Sequence, residues 1–266
     1  MVRLAGRVAE AGGGAGGLIQ AFKDQLREQT LASNRSKPIG AGGYGVVYES
    51  DQPGNVIKQT IAPDTLYYKD APGESLLEEE ANLQAIAAEM GIAPKVAGLE
   101  TFRGGIGNRI EMEDIRNNFE TRGDTARSFP TGMDAVRVNQ QLGQLALKGI
   151  RLEDRHNANV VYNKMTGRPM QLDFGIAGKI EGSEQAAWLS HVTAEGFEAA
   201  GIPEVGGILR ATVMDLLEGG DVKDAMDVAK QGFSRLQKIR KVHNPVDQLV
   251  DKVKKESDLF DVISPY

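Results

Sequence analysis

The apolar residues of this chain change their spacing once, and that change sets the fold class. From Pro38 to Ile115 they fall in short β-type segments. "VVYES" and "NVIKQT" are strand-like and flank the turn "DQPGN", and "KVAGLETF" and "NRIEMEDI" are two further strands. Residues 74–90, "ESLLEEEANLQAIAAEM", make the one helix of this region, stopped by Gly91 and Pro94. Beyond about residue 133 the pattern is helical, interrupted by "NVVYN" and "MQLDF". The expected class is therefore α+β, with a small β-rich part ahead of a larger α-rich part. Ahead of both, residues 11–17, "AGGGAGG", read as a flexible linker. Leu18, Ile19, Phe22 and Leu26 then lie on one face of an amphipathic helix. The boundaries read as an extension over 1–35, a β-rich domain over 36–115 and a helical domain over 116–266.

Composition excludes several chemistries. There is no cysteine, so disulfides, thiolate metal sites and cysteine nucleophiles are ruled out. Three histidines, His156, His191 and His243, leave little for an all-histidine metal site. A formal charge of −6 argues against nucleic acid as a partner, because that role needs a basic footprint. No apolar run approaches the roughly 20 residues of a membrane span. The N-terminal apolar stretch is broken by Gly6, Arg7 and Glu10, so it is no secretory signal. The expectation is synthesis in the cytoplasm, with export by another kind of signal left open.

Gly40, Gly42 and Gly45 in "IGAGGYGVVYES" match G-x-G-x-x-G. The linker repeats that spacing at Gly12, Gly14 and Gly17, so the spacing alone decides nothing. Context does. A dinucleotide fingerprint opens a helix, and a Walker A loop carries Lys-Ser/Thr after its last glycine. Here Gly45 runs into the strand Val46-Val47-Tyr48, which leaves a glycine-rich hairpin with Val47 two residues on. Missing side chains let backbone N–H groups approach phosphates closely. In the next strand stands Lys58, and the helix after it offers acidic candidates. Glu79 shares a face with Leu76, Leu83 and Ile86, and Glu80 is the close alternative.

Further on, "LEDRHNANVV" and "MQLDFG" carry polar residues against apolar runs. Asn159 lies five positions after Asp154, and Asp173 fourteen beyond Asn159. Either stretch alone reads more plainly as a polar turn flanking the hairpin "VVYNKMTGRPMQLDF". Together with the glycine loop, the lysine and the acidic helix, in this order, they suit phosphoryl transfer. That chemistry needs a carboxylate near the acceptor hydroxyl and hard oxygen ligands for Mg²⁺.

On these motifs, residues 37–179 resemble the eukaryotic-type protein kinase superfamily, and most of all the minimal effector kinases that bacteria inject into host cells through type III secretion. The resemblance implies a bilobal kinase-like fold: a small β-rich N-lobe with one helix C, and a reduced α-rich C-lobe. It implies ATP and Mg²⁺ as cofactors. Gly40, Gly42, Gly43, Gly45 and Val47 would cover the nucleotide, and Lys58 would hold its phosphates, paired with Glu79 or Glu80. Met112 would stand behind the adenine, whose edge would meet the backbone of Glu113 and Ile115. Asp154 would be the base, with Asn159 and Asp173 on the metal. The implied activity is γ-phosphate transfer to a protein hydroxyl, serine or threonine before tyrosine, in a host protein.

The departures open rivals. Leu152-Glu153 replaces the usual His-Arg before the base, which removes the arginine that receives an activation-loop phosphate. No Ala-Pro-Glu follows "DFGIAGKIEG", and the chain soon turns helical in "SEQAAWLSHVTAEGFEAAG". His156 stands where serine/threonine kinases commonly carry lysine, and is familiar in kinases resembling aminoglycoside and choline phosphotransferases. The alternatives are a small-molecule phosphotransferase, an AMP-transferring variant, or a pseudokinase or binding module, including a virion or secreted component. Arg155 reads as structural, and Trp188, His191 and His243 as packing or surface residues. The stretch "RLQKIRKVHNPVDQLVDKVKKES" reads as solvated helix faces. Residues 18–31 and 235–255 are where a partner would dock.

Overall fold

A computed structural model describes residues 38–41, 45–60, 76–100, 108–122 and 128–240. The N-terminal extension with its linker and helix, Gly42 and Gly43, and residues 241–266 with His243, lie outside the described residues. The chain divides into two compact units, Met1–Asn117 and Asn118–Tyr266. The α+β class expected from the change in spacing is what the chain adopts.

The first unit holds a five-stranded antiparallel sheet of order β1-β2-β3-β5-β4. Its strands are β1 (Pro38–Ala41), β2 (Gly45–Glu49), β3 (Asn55–Thr60), β4 (Val96–Glu100) and β5 (Arg109–Glu113). Gly54, at φ +85°, supplies the left-handed residue that closes the β2–β3 turn. Successive strand side chains point to opposite faces. Val56 and Lys58 therefore share a face of β3, opposite Met112 and Ile110 of β5. Helix α1 (Leu76–Glu89) connects β3 to β4. Leu77 and Ala81 of α1 join Val56, Ile110 and Met112 in one core. The helix ends as expected: Gly91 takes φ +69° and the Ile92 N–H returns to the Ala87 carbonyl at 2.9 Å.

In the second unit, β6 (Phe119–Glu120), β8 (Val160–Asn163) and β9 (Pro169–Gln171) form one small antiparallel sheet. β7 (Ile150–Arg151) and β10 (Gly178–Lys179) form another. Four helices follow the same core: α2 (Gly132–Leu147), α3 (Gly182–Ala199), α4 (Pro203–Glu218) and α5 (Val222–Leu236). Val136, Leu189, Phe197, Val213 and Phe233 are among its buried members. Helix α5 stops at Leu236, where the sequence suggested helix through the charged stretch. Leu236 is fully buried, and Ile239 packs against the core, so this part of the stretch is an anchored turn and not a solvated helix face.

The helices of this unit pack closely because small residues sit at the crossings. A Cβ on Gly143 of α2 would lie 2.0 Å from a ring carbon of Phe233. Gly207 of α4 is exposed, and a Cβ there would meet nothing within 4 Å. Gly143→Ala is expected to destabilise by about 1–3 kcal/mol, since overpacking outweighs the better helix propensity of alanine. Gly207→Ala is expected to stabilise by about 0.5–1 kcal/mol through propensity alone. Urea unfolding midpoints at constant slope check both, and a neutral Gly143→Ala would refute the close crossing.

Candidate functional site

In the first unit the sheet geometry delivers Lys58 to α1. Lys58 Nζ lies 2.5 Å from Glu80 Oε1, and the two side chains are only 12% and 6% exposed. Of the two candidates the helix offered, Glu80 is the partner. The sheet-facing stripe of α1 contains Leu77, Glu80, Ala81, Gln84 and Ala87, all buried. Gln84 belongs to it because its Nε2 donates to the Pro94 carbonyl at 3.1 Å and approaches Met112 Sδ at 3.7 Å. Glu79 sits half-buried beside that stripe, and Ile86, which the apolar pattern placed on the inner face, is 38% exposed. Leu83 of the same apolar pattern is buried, so hydropathy alone left the face open; the inner one carries two polar residues with partners, Glu80 and Gln84.

Met112 is buried in the same core. The Glu113 N–H is committed to the Lys95 carbonyl at 2.9 Å, so its main chain can meet a ligand only through the carbonyl. Ile115 is half-buried just beyond β5. Val47 faces the core in β2, opposite Lys58. Gly40 is exposed in β1 and lacks a positive φ, and among the described residues a Cβ there would meet Val47 at an ordinary 3.8 Å. Gly45 opens β2.

In the second unit, β7 and the buried Leu152 lead into the loop carrying Asp154. A single 3-10 turn, Asn157–Asn159, follows and opens β8. His156 caps the turn: its Nδ1 accepts the Ala158 N–H at 3.2 Å. That leaves the proton on Nε2, which lies 3.0 Å from Asp154 Oδ1. The histidine thus acts within the loop, on the carboxylate itself. Asn159 Nδ2 donates to the Asp154 carbonyl at 3.1 Å. Buried Asn157 is tied to Ser128 twice, main chain to main chain and Nδ2 to Oγ, both at 2.8 Å.

The β8–β9 hairpin then brings the second acidic turn to the first. Val160 pairs with Gln171, and one step outward the Leu172 N–H donates to the Asn159 carbonyl at 2.9 Å. Asp173 is the next residue. Its Oδ1 accepts the Gly175 N–H at 3.0 Å, and Phe174 is 1% exposed, pinning the turn to the core. Among the described residues no three His, Asp or Glu side chains cluster as a metal-ligand set. A carboxamide and a carboxylate, Asn159 and Asp173, suit a hard cation that draws its other oxygens from phosphate and water. After β10 only Ile180 and Glu181 precede α3, so no long segment follows the Asp-Phe-Gly turn.

One network had no signal in the sequence. Arg155 Nη1 donates to Glu195 Oε2 of α3, and its Nη2 to Oε1 at 3.1 Å. His191 Nε2 lies 3.2 Å from the same Oε1, and Arg210 Nη2 of α4 lies 2.6 Å from His191 Nδ1. The Arg155 guanidinium also lies 5.7 Å from the Trp188 ring. Trp188 and His191, read from sequence as packing or surface residues, belong to this cluster. Burial alone would raise the Glu195 pKa, but hydrogen bonds from His191 and Arg155 outweigh it and lower the value from 4.5 to about 2.

No protein-family model and no curated protein matches this sequence. Among solved structures, the chain is similar to two double mutants of the PknI kinase domain of Mycobacterium tuberculosis. One is 19% identical over 63% of this chain and 72% of that chain, at a TM-score of 0.40. The other is 16% identical over 76% and 94%, at 0.43. The chain is also similar to the kinase PK-1 of Cydia pomonella granulovirus, 12% identical over 66% and 74%, at 0.41.

Two predictions follow from the charges. Glu80→Ala is expected to cost about 1.5–3 kcal/mol, because it removes a short charge-assisted hydrogen bond from a buried lysine, whereas Glu79→Ala stays within about 0.5 kcal/mol. Denaturant unfolding of the two variants checks the pairing. Glu195, with its pKa depressed in the folded state, stabilises above its unfolded value of 4.5, and the contribution is lost as pH falls toward 2. The stability gap between wild type and Glu195→Gln should therefore be full at about pH 6 and nearly closed at about pH 2, as read by thermal unfolding across that range.

Proposed function

We propose that this chain is an ATP- and Mg²⁺-dependent phosphotransferase of the protein kinase type, passing the γ-phosphate to a protein hydroxyl. The observation that carries the reading is the join between the two acidic turns, the Asn159 carbonyl on Leu172 N–H and the Asn159 amide on the Asp154 carbonyl. The buried Lys58–Glu80 pair adds to it. Polar groups this specific, with a buried charge that costs desolvation, suit a site more than a scaffold.

On this reading Lys58 orients the nucleotide phosphates while Glu80 fixes its ammonium. The backbone of Gly40, Gly42, Gly43 and Gly45 covers the phosphates, beside Val47. Met112 backs the adenine, which meets the Glu113 carbonyl and the Ile115 N–H. Asp154, held by His156, takes the proton of the acceptor hydroxyl as its oxygen bonds to the γ-phosphorus and the bond to the β–γ bridging oxygen breaks, releasing ADP. Asn159 and Asp173 would hold Mg²⁺, which when bound would neutralise charge developing on the phosphates. The two-residue connection from β10 to α3 favours a second reading of the acceptor, a small-molecule hydroxyl, since peptide docking usually needs a longer segment.

The test is incubation with γ-labelled ATP, Mg²⁺ and a host-cell lysate, beside Asp173→Ala. Labelled protein bands that vanish in the variant are expected. Label confined to small molecules would move the acceptor to the second reading, and label from α-labelled ATP alone would indicate AMP transfer. Nucleotide binding without turnover would overturn the enzyme reading in favour of a binding module.

A further inference from the structure

The Asp154 carboxylate is one-third exposed, and among the described residues its side chain has one polar partner, His156 of the same loop. Its placement therefore depends on what fixes the adjoining main chain. Asn159 holds the Asp154 carbonyl. The next residue, Arg155, has a side chain only 18% exposed that grips both oxygens of Glu195.

A two-pronged guanidinium–carboxylate contact sets direction as well as distance, because both partners are planar. Here the carboxylate is itself held in place. His191, one helical turn before Glu195 on α3, lies on Oε1, and Arg210 of α4 reaches the far side of the His191 ring. Asn139 Oδ1 of α2 lies 3.5 Å from Arg155 Nη1. Two helices, α2 and α3, thus meet one side chain of the loop, and α4 adds to them through His191. Stapling the loop for stability alone would need no such coordination from α4. By contrast, the exposed Arg151 bridges Glu153 and Glu184 at the surface with no further support, an arrangement worth little.

We infer that Arg155 and Glu195 are positioning residues that hold Asp154 in its working geometry, with His191 and Arg210 fixing Glu195 in turn. The inference rests on the phosphotransferase reading for its effect on rate, but the holding of the loop can be measured without turnover. Misplacing a reacting group by about 1 Å can cost about a hundredfold in rate.

The experiment compares wild type with Arg155→Met, Glu195→Gln, Arg155→Lys and the swapped pair Arg155→Glu with Glu195→Arg, all in the full chain. Two readouts are taken on each: amide exchange across residues 153–159 and Mg²⁺–ATP kinetics with equilibrium nucleotide binding. For Arg155→Met and Glu195→Gln, faster exchange confined to 153–159 is expected, with kcat down about a hundredfold and nucleotide affinity within about twofold. Arg155→Lys, which keeps the charge and loses the fork, should fall between, and the swap should restore part of kcat. It also serves should Arg155→Met not fold. Unchanged exchange over 153–159, or kcat within about threefold of wild type in folded Arg155→Met, would overturn the inference. A wild type that transfers no phosphate, while exchange still responds to the variants, would sink the phosphotransferase reading and leave the holding of the loop standing.

Discussion

The second unit depends on the register of one short hairpin. β8 and β9 pair with Val160 opposite Gln171, and that register decides which residue meets the Asn159 carbonyl. A slip of one position would invert every side chain of β9, exposing buried Gln171 and Pro169 and withdrawing the Leu172 N–H from Asn159. The slip is resisted at both ends. At the turn, Asn163 Oδ1 accepts the N–H groups of Met165 and Thr166, and Gly167 takes φ +65°. At the open end Phe174 is locked in the core. Asp173 is thereby delivered by packing and hydrogen bonding on either side of it, together with its own Oδ1 contact to the Gly175 N–H.

The first unit works by a different economy. A lysine and a glutamate buried against a sheet lose hydration, and their attraction only partly offsets the loss. Replacing such a pair with apolar residues of similar volume is often neutral or stabilising. The pair lies beside an apolar core of Val56, Leu77, Ala81, Ile110 and Met112, with Gln84 as a further buried polar side chain of α1. On stability grounds it is an expense, which is the physical reason to look for a ligand that needs the charge.

Much of this was legible in the sequence because it is local. The strands around "DQPGN", the helix ended by Gly91 and the hairpin between Asn159 and Asp173 each follow from spacing and turn chemistry within about 15 residues. The choice between Glu79 and Glu80 was not legible, because it turned on Gln84 being buried with partners while Ile86 was not. Nothing in sequence order links Arg155 to Glu195, 40 residues on. Such pairs become visible only once the helices have packed. The end of α5 at Leu236 was missed for a related reason: the charged pattern continues, but Leu236 and Ile239 turn inward onto the core.

The same long-range contacts bear on how the loop could stay ordered without the features the sequence lacks. Kinases that carry His-Arg before the base can use that arginine to couple the loop to a phosphate on a long downstream segment. Here Glu153 occupies the position and the downstream segment is reduced to the two residues between β10 and α3. β10 pairs directly with β7, Gly178 opposite Arg151, so the chain returns beside the strand that enters the Asp154 loop. Order that a phosphate would supply by charge is supplied by a ladder on one side of the loop and by Glu195 on the other. Both are built into the folded unit, so neither needs a modification to form. On the phosphotransferase reading, the loop that carries Asp154 would take its order from these folded contacts, the β7–β10 ladder and Glu195.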